Sequence, residues 1–143
     1  MSETKLPGPF PGPYEPKKQR QYKVKFGKPF EDIYEFAVHD APLPTLTKTN
    51  GGGKWNDMVF RMYDFVSPST SQVIQTGLQE LKKMDDQSIE IKMYLLGPVG
   101  DVVSEFIVVG ELYSVNYGQL NWESDEPLIV SLHFKIKSVT LNY

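Results

Sequence analysis

The chain has 143 residues, 40% of them hydrophobic and 23% charged, with a formal charge of −3 and no cysteine. That length suits one domain, enough to bury about 70% of the surface its unfolded chain exposes, and the composition is that of a folded protein rather than a disordered one. Without cysteine there is no disulfide framework, thiolate metal site or thiol nucleophile. No apolar stretch approaches the ~20 residues of a membrane-spanning helix, and the N-terminus has no apolar signal core, so the expectation is a soluble protein made inside the cell. The charge is unevenly placed. Residues 1–28 hold seven basic and two acidic groups, net +5, while residues 29–143 hold eight basic and sixteen acidic groups, net −8. A basic lead on an acidic body suits contact between copies or with another charged surface; a merely solvated tail is the plainer alternative.

Residues 1–20 form a compositional block of their own. Five prolines between Leu6 and Pro16 fix φ and remove backbone donors, which excludes helix and central strand and leaves an extended arm. Pro13-x-x-Pro16 matches a polyproline ligand only nominally; an arm lying on a neighbouring subunit fits better. The folded domain is expected over residues 21–143. Tyr22, Val24 and Phe26 alternate with Lys23 and Lys25, a half-buried strand. Ile33 to Val38 reads as a second strand. Residues 39–54, with Pro42, Pro44, Asn50 and Gly51-Gly52-Gly53, read as a loop whose tip is the glycine triplet rather than a phosphate cradle, since no phosphate-loop order follows. A third strand is expected from about Trp55 to Phe65, with Met58, Phe60 and Met62 on one face.

One helix is expected over 68–83. Ser67 is placed to cap it, Pro68 to open it, and Ile74, Leu78 and Leu81, with Val73 and Met84 at the margins, recur at helical spacing. Lys82 and Lys83 complement the dipole at its end, and Asp85-Asp86-Gln87 stops it. Thereafter the pattern is strand. Ile89, Ile91, Met93 and Leu95 alternate with polar residues, and Gly97–Asp101 makes a hairpin with the run Val102 to Tyr117. That run is apolar on both registers, Phe106, Val108 and Leu112 against Val103, Ile107, Val109 and Tyr113. Cover on both faces is therefore expected, one by the core and one by another subunit. An acidic connection over 118–127 leads to a last strand carrying Val130, Leu132, Phe134 and Ile136, which Val139 to Tyr143 continues or pairs with.

No catalytic constellation emerges. His39 and His133 are far apart in sequence, without carboxylates at ligand spacing. Glu123, Asp125 and Glu126 share one short turn, where paired acids or cation ligands are conceivable but a solvated loop is simpler. No Gly-x-Ser-x-Gly elbow exists, no basic-aromatic stripe points to nucleic-acid binding, and Trp55, Trp122 and the tyrosines are too scattered for a sugar platform. The expectation is no enzyme, no cofactor and no metal.

The run Gly110-Glu-Leu-Tyr-Ser-Val-Asn-Tyr-Gly-Gln-Leu-Asn-Trp-Glu-Ser-Asp-Glu-Pro-Leu-Ile-Val-Ser-Leu-His-Phe-Lys135 is similar to the closing hairpin of tail tube proteins of contractile-tailed phages and related contractile injection systems. The preceding order over residues 22–137 also looks like theirs: strand, loop, strand, a helix opening at Ser67-Pro68-Ser69-Thr70-Ser71, then a long hairpin. The Pro-rich arm and the composition of 39–54 depart from that pattern. The resemblance implies a mainly-β subunit, a β-sandwich or small β-barrel with one flanking α-helix. It further implies hexameric rings stacked into a hollow tail tube inside a contractile sheath on a baseplate, in a virion tail assembled in the host cytoplasm. DNA would transit an acidic lumen without specific binding. Alternatives are the tube of a non-phage injection or type VI secretion system, a baseplate tube-initiator, or a monomeric β-sandwich binding module. Pro9, Phe10, Pro11 and Tyr14 in the arm and Gly51, Gly52, Gly53 and Trp55 in the loop are the candidate contacts between subunits or rings. Lys82 and Lys83 are the candidate sheath-facing residues.

Overall fold

A computed structural model describes residues 20–34, 37–67 and 69–142. The chain runs β1 (Tyr22–Phe26), β2 (Val38–Asp40), β3 (Leu46–Thr49), β4 (Gly52–Trp55), β5 (Met58–Tyr63), α1 (Thr70–Lys82), β6 (Ser88–Leu96), β7 (Val102–Asn116) and β8 (Ile129–Asn142). Six strands form one antiparallel sheet in the order β1-β6-β7-β8-β5-β2, and β3 and β4 form a separate hairpin. The fold is the expected mainly-β one with a single helix among the described residues, in its barrel-like form: one curled, nearly closed sheet.

The curl is set by aromatic packing. Phe26 on β1 and Phe134 on β8 are separated by two strands in the sheet order, yet their rings stack with centroids 6.3 Å apart. Phe60 on β5 meets both edge-on, 5.6 Å from each. A flat sheet would hold these rings several strand spacings of ~4.8 Å apart. The sheet edges also meet at one point, where the Tyr22 hydroxyl donates to the His39 carbonyl at 3.2 Å. Inside the curl lie Val24, Met58, Met62, Ile89, Ile91, Met93, Val108, Val130 and Leu132, all buried, so the alternation of β1, β5, β6 and β8 points inward as the sequence pattern requires.

The open side of the curl is filled by α1 together with Phe30, Ile33 and Ala37. Ile74 and Leu81 on α1 join the core, as does Phe30. The expected cap at Ser67 is wrong by half a turn. Ser69 is the N-cap, its hydroxyl accepting from Gln72 N at 3.3 Å, because Asp64 at the end of β5 accepts from Ser71 N at 3.1 Å and Thr70 donates to the Tyr63 carbonyl at 2.7 Å. Those bonds tie the first turn to the end of β5; Pro68 lies outside the described residues. Lys83 is the C-cap, and Gln87 donates to the carbonyls of Leu81 and Met84 at 2.8 and 2.6 Å. Met84 is exposed rather than part of the apolar stripe.

Three further expectations are corrected. Of the strand expected over Ile33 to Val38, the described residues Ile33, Tyr34 and Ala37 take part in turns instead, with bonds from Ile33 N to Phe30 O and Ala37 N to Tyr34 O. Only Val38–Asp40 pairs, with β5. Residues 39–54 are not merely a loop, since they contain β2's end and the β3–β4 hairpin, with Thr49 opposite Gly52 across Asn50-Gly51 and Gly52 at φ +127°. The strand expected from Trp55 to Phe65 is β5 alone, because Trp55 belongs to β4. The closing segment Val139 to Asn142 continues β8.

Gly77 on α1 shows what the helix-to-turn fit demands. A Cβ there would lie 2.5 Å from a ring carbon of the fully buried Phe30. Helix propensity alone favours Gly→Ala by about 1 kcal/mol, but a clash with an enclosed ring costs ~1–3 kcal/mol. Gly77→Ala should therefore lower the urea unfolding midpoint. Gly51→Ala, with nothing within 4 Å of the added carbon, should leave it unchanged.

Candidate assembly surface

Among the described residues no group of three or more His, Asp or Glu side chains converges where a cation fits. His39 sits on β2, 3.3 Å from the Asp40 carboxylate with its ring against Tyr63. His133 sits on β8 beside Tyr113, with ring centroids 6.1 Å apart. The two histidines are on different strands and share no partner. Glu123, Asp125 and Glu126 lie exposed on the segment joining β7 to β8. No described helix is long and apolar enough to cross a membrane.

What the surface does carry is unfinished sheet. β7 and β8 have 15 and 14 residues, against 9 in β6 and 6 in β5. β5 pairs with β8 only from Ile129 to Phe134, so no described strand is hydrogen-bonded to the outer edge of Lys135–Asn142, although β4 comes close to β8 without pairing. β6 pairs with β7 only up to Glu111, so Leu112–Asn116 is open on that side. Two register shifts, between Val109 and Gly110 and between Leu112 and Ser114, bend the long pair as it leaves the sheet. Unpaired strand edges are templates for further strands.

The outward register of β7 also carries apolar residues, interleaved with Glu105 and Glu111. Ile107 and Val109 are half-buried by sheet neighbours, and Val103 and Tyr113 are exposed. Lys135 lies over the Tyr113 ring, but Val103 stays exposed among the described residues, and these do not supply the cover expected from another subunit. The β3–β4 hairpin is equally bare: every residue of β3 is exposed, including Leu46. A lone two-stranded hairpin is marginal in water. Its local ties are Thr47 Oγ1 to Asn56 Oδ1 at 2.9 Å and Thr49 Oγ1 to the Gly52 carbonyl at 3.0 Å. Beyond β7, Leu120 and Trp122 are almost wholly solvent-exposed.

A polar lacing holds the long strands in register. Lys137 on β8 reaches Glu111 on β7 and Ser88 on β6, each at 2.8 Å. Its ammonium is held above the usual lysine range, first by the Glu111 hydrogen bond. Asp86 lies below the usual carboxylate range, first because its carboxylate accepts from Ser88 N. Tyr113 donates to Asp57 at 3.3 Å, and Lys135 lies over its ring at 5.5 Å. Desolvation and then the Asp57 charge push the Tyr113 phenol up.

Of the residues singled out in the sequence, Gly51, Gly52, Gly53 and Trp55 come together on the exposed hairpin. Lys82 and Lys83 end α1, both exposed, with Lys83 3.7 Å from Glu80. They are on a separate element from the hairpin. Pro9, Phe10, Pro11 and Tyr14 lie outside the described residues. The open edges of β7 and β8 went unread in the sequence, although the unequal lengths of the apolar runs signal them.

No protein-family model matches the chain, and no curated protein matches it in sequence. Solved structures do. A chain of the anti-feeding prophage (AFP) baseplate, 6-fold symmetrised, superposes with a TM-score of 0.59 at 12% identity, covering 90% of this chain and 96% of that one. A chain of the AFP tube-terminating cap gives a TM-score of 0.62 at 13% identity over 90% and 91%. A chain of the sheath-tube complex of an extracellular contractile injection system, PVC, in its extended state gives 0.56 at 12% identity over 90% and 93%. These likenesses establish a shared fold along nearly the whole of each chain.

The lacing has a pH signature. Asp86, with its pKa depressed, stabilises above the usual carboxylate range and loses that contribution as pH falls through its folded pKa. Lys137, with its pKa raised, stabilises below the usual lysine range and loses it as pH rises through its folded pKa. Lys137→Met should lower the urea midpoint at neutral pH. The gap from wild type should narrow as rising pH takes the Lys137 ammonium through its raised pKa; an undiminished gap in alkali counts against the ion pair.

Proposed function

We propose that this chain is a structural subunit of a contractile injection machine, repeating in rings that stack into the machine's inner tube. The observation that carries the reading is the unfinished sheet: β7 and β8 outrun both flanking strands and leave two edges for neighbours. Support comes from the fold, shared over at least 90% of this chain with components of baseplate, sheath-tube and cap assemblies. A contact that uses different surfaces on its two sides generates rings when the rotation closes and filaments when it does not. Edge-to-edge pairing around a ring also removes the exposed edges that would otherwise invite aggregation.

On this reading the function is mechanical, with no catalytic chemistry. Rings are hexameric, in keeping with the 6-fold AFP baseplate. The β3–β4 hairpin and the Pro-rich arm reach the next subunit or ring, and Lys82 and Lys83 meet the sheath. In a phage the tube belongs to a virion tail assembled in the host cytoplasm, and an acidic lumen lets DNA pass by repelling its phosphates. A non-phage injection system uses the same subunit for other cargo.

A tube-end component is the second reading, favoured by the matches to the AFP cap and to the PVC sheath/tube terminator, the latter with a TM-score of 0.58 over 92% of this chain. Negative-stain microscopy of the purified full chain separates them. Long tubes are expected for a tube subunit and single unstacked rings for an end component; a monomer at every concentration contradicts both. Deleting residues 1–16 should shorten or abolish tubes without moving the unfolding midpoint, whereas tubes of normal length would show that the arm is no clasp.

A further inference from the structure

Two charged surfaces lack partners among the described residues. β1 is a terminal strand, and Lys25 faces Lys92 directly across the β1–β6 ladder, with Lys23 opposite Tyr94 beside them. Like charges directly opposite on a sheet are unfavourable. The acids beside them are Glu90, whose carboxylate is a distant 4.0 Å from Lys92, and Glu105, opposite Tyr94 and hydrogen-bonded by Asn142. Lys23 and Lys25 are exposed and make no ion pair with any described residue.

The opposite charge sits on the segment 117–128. Its carboxylates, Glu123, Asp125 and Glu126, are exposed and make no ion pair among the described residues, and beside them Trp122 is fully exposed and Leu120 88% exposed. The segment is nonetheless shaped. Glu123 N donates to Asn121 Oδ1 at 3.0 Å, Glu126 N to Ser124 Oγ at 3.2 Å, and a hollow of about 460 Å³ opens between Gly118, Leu120, Glu126 and Leu128. A loop that presents a bare tryptophan just ahead of three acids matches a basic strand face whose lysine stems offer apolar cover.

These two surfaces belong to different copies. Lys92 is in register with Ile107, and the loop begins after Asn116. At ~3.4 Å per residue, β7 carries the loop roughly 30 Å past the lysines. We propose that the loop 117–128 of one copy docks on the lysine face of β1 and β6 of the next. Trp122 lies along the lysine stems, and Glu123, Asp125 and Glu126 answer Lys23, Lys25 and Lys92. The contact is head-to-tail, and it rests on the self-assembly proposed above.

Charge reversal tests it. Lys25→Glu with Lys92→Glu leaves a copy acidic on both surfaces, and Glu123→Lys with Glu126→Lys leaves one basic on both. Each double variant alone should need about a hundredfold higher concentration to assemble than wild type, by sedimentation and negative stain. An equimolar mixture of the two should assemble, because each then offers the face the other lost. The milder Lys25→Gln with Lys92→Gln, which creates no new repulsion, should weaken assembly about tenfold. Wild-type assembly with either double variant or the glutamine variant unaffected overturns the contact, as does a mixture of folded variants that stays apart. If wild type itself never assembles, the self-assembly reading fails first.

Discussion

The register of β7 against β8 is the constraint from which the rest of the molecule follows. Their pairing runs from Glu105 opposite Asn142 to Asn116 opposite Ser131, longer than any other ladder in the sheet. Lys137, Glu111 and Ser88 pin it to β6, and two register shifts turn it. Because the strands on either side are shorter, the same ladder that anchors the core also carries backbone beyond it. In water those edge groups are solvated at little cost, but they remain open to pairing.

The core explains why the sheet curls. Phe26, Phe60 and Phe134 converge from three strands, and α1 with Phe30 and Ile33 plugs the gap left between β1 and β2. The apolar interior is thereby complete within one chain. The apolar residues left outside, Val103 and Tyr113 on β7, Leu46 on the hairpin, Leu120 and Trp122 beyond β7, are surplus to that core. They mark apolar surface that the described residues leave uncovered.

Much of this was legible in the residues. Period-two alternation located β1, β6 and β8 because each has one buried face, and the stripe Ile74 and Leu81 located α1. The hairpin β3–β4 escaped because Thr47-Lys48-Thr49 and Gly52–Trp55 pack on no core and so show no apolar period. The Ile33–Val38 run misled for the opposite reason. With Phe30 before it, buried Ile33 and Ala37 follow a spacing of three and four and serve turns, and only buried Val38 at its end pairs as strand, while the apolar content imitates a longer one. The cap moved from Ser67 to Ser69 because Asp64, placed by β5, competes for the helix N-terminus. That is tertiary information. Of the assembly surface, the glycine tip was visible, but open edges are differences between strand lengths and emerge only once partners are known.

On the proposed reading, function resides in the edges and apolar surface that the described residues leave uncovered, and fold likeness alone does not assign it. Hydrogen exchange read residue by residue in dilute protein and at assembling concentration tests this most directly. Protection should rise at Lys135–Asn142, Leu112–Asn116 and 117–128 while the amides of β5 stay unchanged. Protection identical at both concentrations along those segments would contradict the account.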